Sequence, residues 1–174
     1  MKTVELERGT HALSLALPDE WVVIDSARLA ATGQIFADSG SAMGDGIAQI
    51  AGLLQDDDQP DLVAMLSLPV HDPGGAPIGL VMASLVALCL PAEECPSVDD
   101  PMFAPQLIED VELSPGVAAS FHTLTVPRWS EDESAVCLLN FSSPNLPLAD
   151  LLTEGWRNIA ASTRLESAHP VETD

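Results

Sequence analysis

The sequence predicts an α+β fold: an antiparallel sheet of about six to seven strands, with an N-terminal helical region and a C-terminal helix packed on its faces. Three observations lead there. Short apolar segments, several with period-two alternation, recur along the chain and are separated by turns rich in Pro and Gly. One long stretch at the end, Leu148 to Thr163, carries its apolar residues at helical spacing instead. A hydrophobic content of 47% in 174 residues is enough for one sizeable core. The chain therefore reads as one domain over residues 1–166, with a frayed acidic tail over 167–174.

The elements follow in order. Thr3 to Leu6 and Ala12 to Leu17 alternate on either side of Arg8-Gly9-Thr10, which predicts a hairpin. Leu17-Pro18-Asp19-Glu20-Trp21 is a turn, and Trp21 to Ile24 a short strand. Asp25 or Ser26 supplies a cap for a helix from Ala27 to about Ala37, and a second helix follows from Gly46 to Leu54 with Ile47, Ile50, Ala51 and Leu54 on one face. The acidic loop Gln55 to Pro60 ends this region. Leu62 to Val70 alternates, His71 to Pro77 is dense in breakers, and Ile78 to Leu90 returns antiparallel as a run apolar on both faces, expected at a sheet centre covered on both sides.

Pro91 to Pro105, rich in proline and acid, is a loop. Leu107–Leu113, Val117–Val126 and Ala135–Ser142 make three further antiparallel strands. Asn145 then caps the closing helix and Pro147 sits in its first turn, where a missing N–H costs nothing. At about 100° per residue, Leu148, Leu151, Leu152, Gly155, Trp156, Ile159 and Thr163 share one face and Asp150, Glu154, Arg157 and Arg164 the other. Gly155, in the middle of the apolar face, predicts a close approach of helix to sheet.

Charge excludes several functions. With 27 acidic residues against 6 basic ones the net charge is −21, and the pI is near 4.1. Nucleic-acid binding is not expected, since phosphate contacts need Lys and Arg, and an anionic membrane surface is disfavoured for the same reason. The acidity reads either as solubility or a salty cytoplasm, or as a face for a basic protein. The N-terminus shows no apolar export signal, and the longest apolar run, Ile78 to Ala92, is too short to span a bilayer, so no membrane insertion is expected. Cys89, Cys95 and Cys137 lack metal-type spacing and read as reduced thiols of a cytoplasmic protein.

The segment LNFSSPNLPLADLLTEGWRNIAASTRLE, together with Leu17-Pro18-Asp19-Glu20-Trp21, resembles the PsbP-like α/β sandwich family, including its LpqN-type actinobacterial members. The resemblance covers nearly the whole chain and rests on packing motifs without a catalytic signature. It implies a curved antiparallel sheet with helices on its faces, in a family of binding and assembly proteins. The chain differs from LpqN-type lipoproteins in having no export signal or lipidated Cys at its start.

Residue types that carry chemistry are present but scattered. His11, His71, His122 and His169 are not paired at ligand spacing, so no metal is expected. Asp56, Asp57, Asp58 and Asp61 lack the spaced ligands and glycine of a calcium loop. Ser39-Gly40-Ser41 and Gly44-Asp45-Gly46 lack the Lys of a phosphate loop and the pattern of a nucleophile elbow. Cys95, between Glu94 and Pro96, is a poor nucleophile. Trp129, in a hairpin loop with Glu131, Asp132 and Glu133, is the large aromatic expected at the surface.

The expected function is a non-enzymatic cytoplasmic interaction or accessory protein without cofactors. Its expected partner is a protein, basic in character, contacted through Trp129, Asp56, Asp57, Asp58, Glu131, Asp132 and Glu133; homo-oligomerisation stays open. The alternatives are an immunity or antitoxin-like inhibitor of a basic partner, and a hydrolase whose site joins distant residues such as His122 with Asp or Ser side chains.

Overall fold

Alternation sets the first layer. In β1 (Lys2–Arg8) and β2 (His11–Leu17) the antiparallel register pairs Leu6 with Leu13 and Val4 with Leu15, so the apolar residues share one face. Leu13, Leu15 and Leu17 on that face are buried. A computed structural model describes residues 1–8, 11–24, 61–97, 99–114 and 116–167. The two N-terminal helices expected over 27–37 and 46–54, and the acidic loop with Asp56, Asp57 and Asp58, lie outside the described residues.

The Pro18 turn closes with the Trp21 N–H donating to the Pro18 carbonyl at 3.1 Å. Six strands then form one antiparallel sheet: β3 (Trp21–Ile24), β4 (Leu62–His71), β5 (Pro77–Pro91), β6 (Gln106–Ser114), β7 (Val117–Trp129) and β8 (Ala135–Ser143). Their order is β3-β4-β5-β8-β7-β6, so the β6–β7–β8 meander docks onto β5 through its last strand. Leu66, Ala83, Leu85, Ala87, Leu124, Leu139 and Phe141 line the inner face and are buried.

One sheet was expected and two form. Helix α1 (Ala149–Ser162) ends before Thr163 and Arg164, which the periodicity includes, and Arg164–Ser167 is a ninth strand, β9, pairing with β2 on the edge opposite β1. The hydroxyls of Ser162 and Thr163 donate to the Ile159 carbonyl at 2.7 and 3.1 Å, a local bond that competes with helix continuation. Ser162 Oγ also accepts from the Ala16 N–H at 3.1 Å, which ties the helix end to β2. Leu165, on β9, is buried with the core. The small sheet, α1 and the inner face of the six-stranded sheet share one continuous hydrophobic core.

Three further expectations change. Asn145 does not cap α1; its Oδ1 accepts from the Met82 N–H at 2.7 Å and its Nδ2 donates to the Leu80 carbonyl at 3.0 Å, standing in for a neighbouring strand. The chain enters α1 through a 3-10 turn, Leu146–Leu148. Gly155 is exposed, and so is Leu151 at 67%. The buried helix residues are Thr153, Trp156, Ile159 and Ala160, so the inward face is rotated from the expected stripe. Nor is β5 covered on both sides along its length. Ala83, Leu85 and Ala87 are buried while Ile78, Leu80 and Met82 are exposed. The β4–β5 hairpin projects past β3, which pairs only with Val63–Leu66, and past β8, which pairs only with Ser84–Pro91.

Candidate functional site

The surface turn that follows β7 is built by two serines and one aspartate. Trp129 pairs with Val136 on the last rung of the β7–β8 ladder. Beyond it the Ser130 N–H donates to the Ala135 carbonyl and the Glu133 N–H to the Ser130 carbonyl, both at 3.0 Å. Ser130 Oγ donates to Asp132 Oδ1 at 2.6 Å and accepts from the Ala135 N–H at 3.1 Å. Ser134 adds its N–H at 3.2 Å and its hydroxyl at 2.8 Å, both to the same Asp132 oxygen. Glu133 sits at φ 55°, in the left-handed region that non-glycine residues enter at a cost of about 1–2 kcal/mol. The network around Asp132 holds it there.

Of the residues expected to meet a partner, this turn therefore presents Trp129, which is 39% exposed, together with exposed Glu131 and Glu133. Asp132 plays a different part from the one expected: its carboxylate organises the turn. Asp56, Asp57 and Asp58 lie outside the described residues, so the acids brought together are those already adjacent in sequence.

His122 joins the sheet to the helix. Its Nε2 is 2.7 Å from Thr153 Oγ1, and its ring stacks on Trp156 with centroids 5.3 Å apart and 15° between planes. Trp156 in turn stacks on Phe141 at 5.5 Å and 13°, the fully buried centre of the core. The Trp156 indole N–H is buried with no hydrogen-bond partner among the described residues. The side-chain hydrogen-bond partner of His122 among the described residues is thus a threonine hydroxyl. Trp156 was on the expected face, whereas Thr153 escaped the periodicity because the stripe was centred on Gly155. Thr153, Trp156, Ala160 and Thr163 also stand at helical spacing, and packing selects this stripe over the more apolar one.

Other groups are quiet. Burial pushes the Cys95 thiol above its ordinary value, so it is not an activated nucleophile. Asp61 reaches back to the sheet: its N–H donates to the Ala87 carbonyl at 2.8 Å and its carboxylate accepts from the Cys89 N–H at 2.5 Å. Among the described residues no group of three or more His, Cys, Asp or Glu could hold a metal ion. No helix among them is long and apolar enough to cross a membrane. Comparison with protein-family models, with curated proteins and with solved structures finds no match.

Proposed function

We propose that the chain is a non-enzymatic interaction or accessory protein of the PsbP-like kind, which binds a basic protein partner in the cytoplasm. The observation that carries this reading is the β7–β8 turn. It holds an exposed Trp129 beside Glu131 and Glu133 on a frame already ordered by Ser130, Asp132 and Ser134. Tryptophan is the residue type most enriched among those that dominate binding energy, and a pre-ordered loop pays little entropy on association. A net charge of −21 selects against acidic partners and steers basic ones. An antiparallel sheet with a closing helix on one face is the part of this fold that the resemblance also implies.

The test is affinity capture from the native cell with the full chain at about 50 mM and about 500 mM salt, across which the Debye length falls severalfold. A basic protein should be retained at low salt and released at high salt. Trp129→Ala should weaken its binding roughly 30-fold, the effect of losing about 2 kcal/mol at a dominant contact. Neutralising Asp56, Asp57, Asp58, Glu131 and Glu133 to their amides should remove most of the salt dependence; Asp132 is left intact to preserve the turn. A partner retained equally at both salt concentrations and by both variants would refute the proposal.

A further inference from the structure

From their placement in the sheet we infer that Cys89 and Cys137 form a reversible cross-strand disulfide between β5 and β8. The two residues are directly opposite in the antiparallel register. The kind of rung they occupy follows from Asp61. A strand residue aims its N–H and C=O toward the same neighbour, and the Cys89 N–H is bonded to the Asp61 carboxylate on the β4 side, next to the Ala87 carbonyl that accepts from the Asp61 N–H. Toward β8, Cys89 therefore makes no ladder bond, and Cys89 with Cys137 is a non-hydrogen-bonded pair. Such pairs bring Cα atoms to about 4.5 Å and their side chains closest together. That separation lies inside the range a disulfide spans without backbone movement, about 4.4–6.8 Å. The neighbouring Cys137 thiol is the largest cause of the upward shift of Cys89, followed by burial, as this register leads one to expect.

Access is unequal. Cys137 is fully buried, whereas Cys89 is half-buried and reaches solvent. A small symmetrical disulfide as oxidant would be attacked slowly, by the small fraction of Cys89 present as thiolate under its upward shift, forming a mixed disulfide and releasing one small thiol. The Cys137 thiolate then attacks Cys89 Sγ and expels the second. Two protein thiols lose two protons and two electrons, and the S–S bond of the oxidant is reduced to two thiols. The new bond clamps β5, which belongs to the β4–β5 hairpin, to the β6–β7–β8 meander at the rung that joins them.

The experiment uses the full chain with Cys95→Ser, which leaves only the pair, treated with oxidised glutathione in native buffer and then alkylated. Trypsin cleaves after Arg128 and so separates the two cysteines into different peptides. The expected result is loss of both alkylatable thiols, a disulfide-linked pair of peptides carrying Cys89 and Cys137, and a rise in the urea midpoint that dithiothreitol reverses. With Cys89→Ser added, neither the link nor the rise should appear. Persistence of glutathione on Cys89 with Cys137 still alkylatable after denaturation, or a link that forms only in urea, would overturn the inference. So would an equal rise in midpoint in the Cys89→Ser variant.

Discussion

Replacing Gly155 by alanine should stabilise the protein. Gly155 lies in the interior of α1, where glycine costs about 0.8–1.0 kcal/mol relative to alanine. It is not among the positive-φ glycines, so its special backbone freedom is unused. It is exposed, and a Cβ built there meets no atom within 4 Å. Nothing is therefore lost to set against the gain in propensity, and Gly155→Ala should add about 0.5–1 kcal/mol. For a chain of this length that corresponds to a rise in Tm of roughly 1–4 °C. The periodicity alone argues the opposite, a buried glycine at which Gly155→Leu would overpack and cost about 1–3 kcal/mol. With the position exposed, Gly155→Leu should instead be neutral or slightly stabilising. Equilibrium urea unfolding followed by far-UV circular dichroism separates the two arguments. If Gly155→Ala were no more stable than wild type and Gly155→Leu lower still, the inward face of α1 would be centred on Gly155 and the docking described above would be refuted.

Two other substitutions test the core and the sheet edge. Trp156→Ala removes a side chain only 1% exposed and both of its ring stacks, so it should cost about 3–5 kcal/mol, a large part of the stability of an ordinary domain; a loss below about 1 kcal/mol in urea unfolding would contradict its central place. Asn145→Ala deletes the bonds to Met82 and Leu80, each worth about 0.5–1.5 kcal/mol, and should speed hydrogen exchange at the Met82 amide, with unchanged exchange as the contrary result.

Much of the fold was legible because local chemistry and tertiary demand agree in it. The first hairpin, the Pro18 turn and the extents of β4, β5, β7 and β8 follow from alternation and breakers, with ends displaced by a few residues. Legibility failed where several partners compete for one group. Asn145 has the residue type of a cap and the position before a helix, yet the unpaired edge of β5 offers it two backbone partners at once. The candidate turn was legible as a site for exposure, since Trp129 stands among acids. That Asp132 would be consumed by Ser130 and Ser134 was not, because it depends on the turn's path.

By itself the sequence determined that the protein is acidic, that its core is apolar enough for one domain, and that antiparallel strands dominate it. These are properties of composition and of residue spacing along one strand or one helix, which a neighbour cannot alter. Tertiary structure alone decided that β8 enters beside β5 and so sets Cys89 against Cys137, that Arg164–Ser167 completes a second sheet, and which side of α1 turns inward. The physical reason is the width of the choice. An amphipathic stripe tolerates rotation by tens of degrees before propensity objects, and only the stack of Trp156 on Phe141 and His122, with Thr153 bonded beside it, selects one orientation.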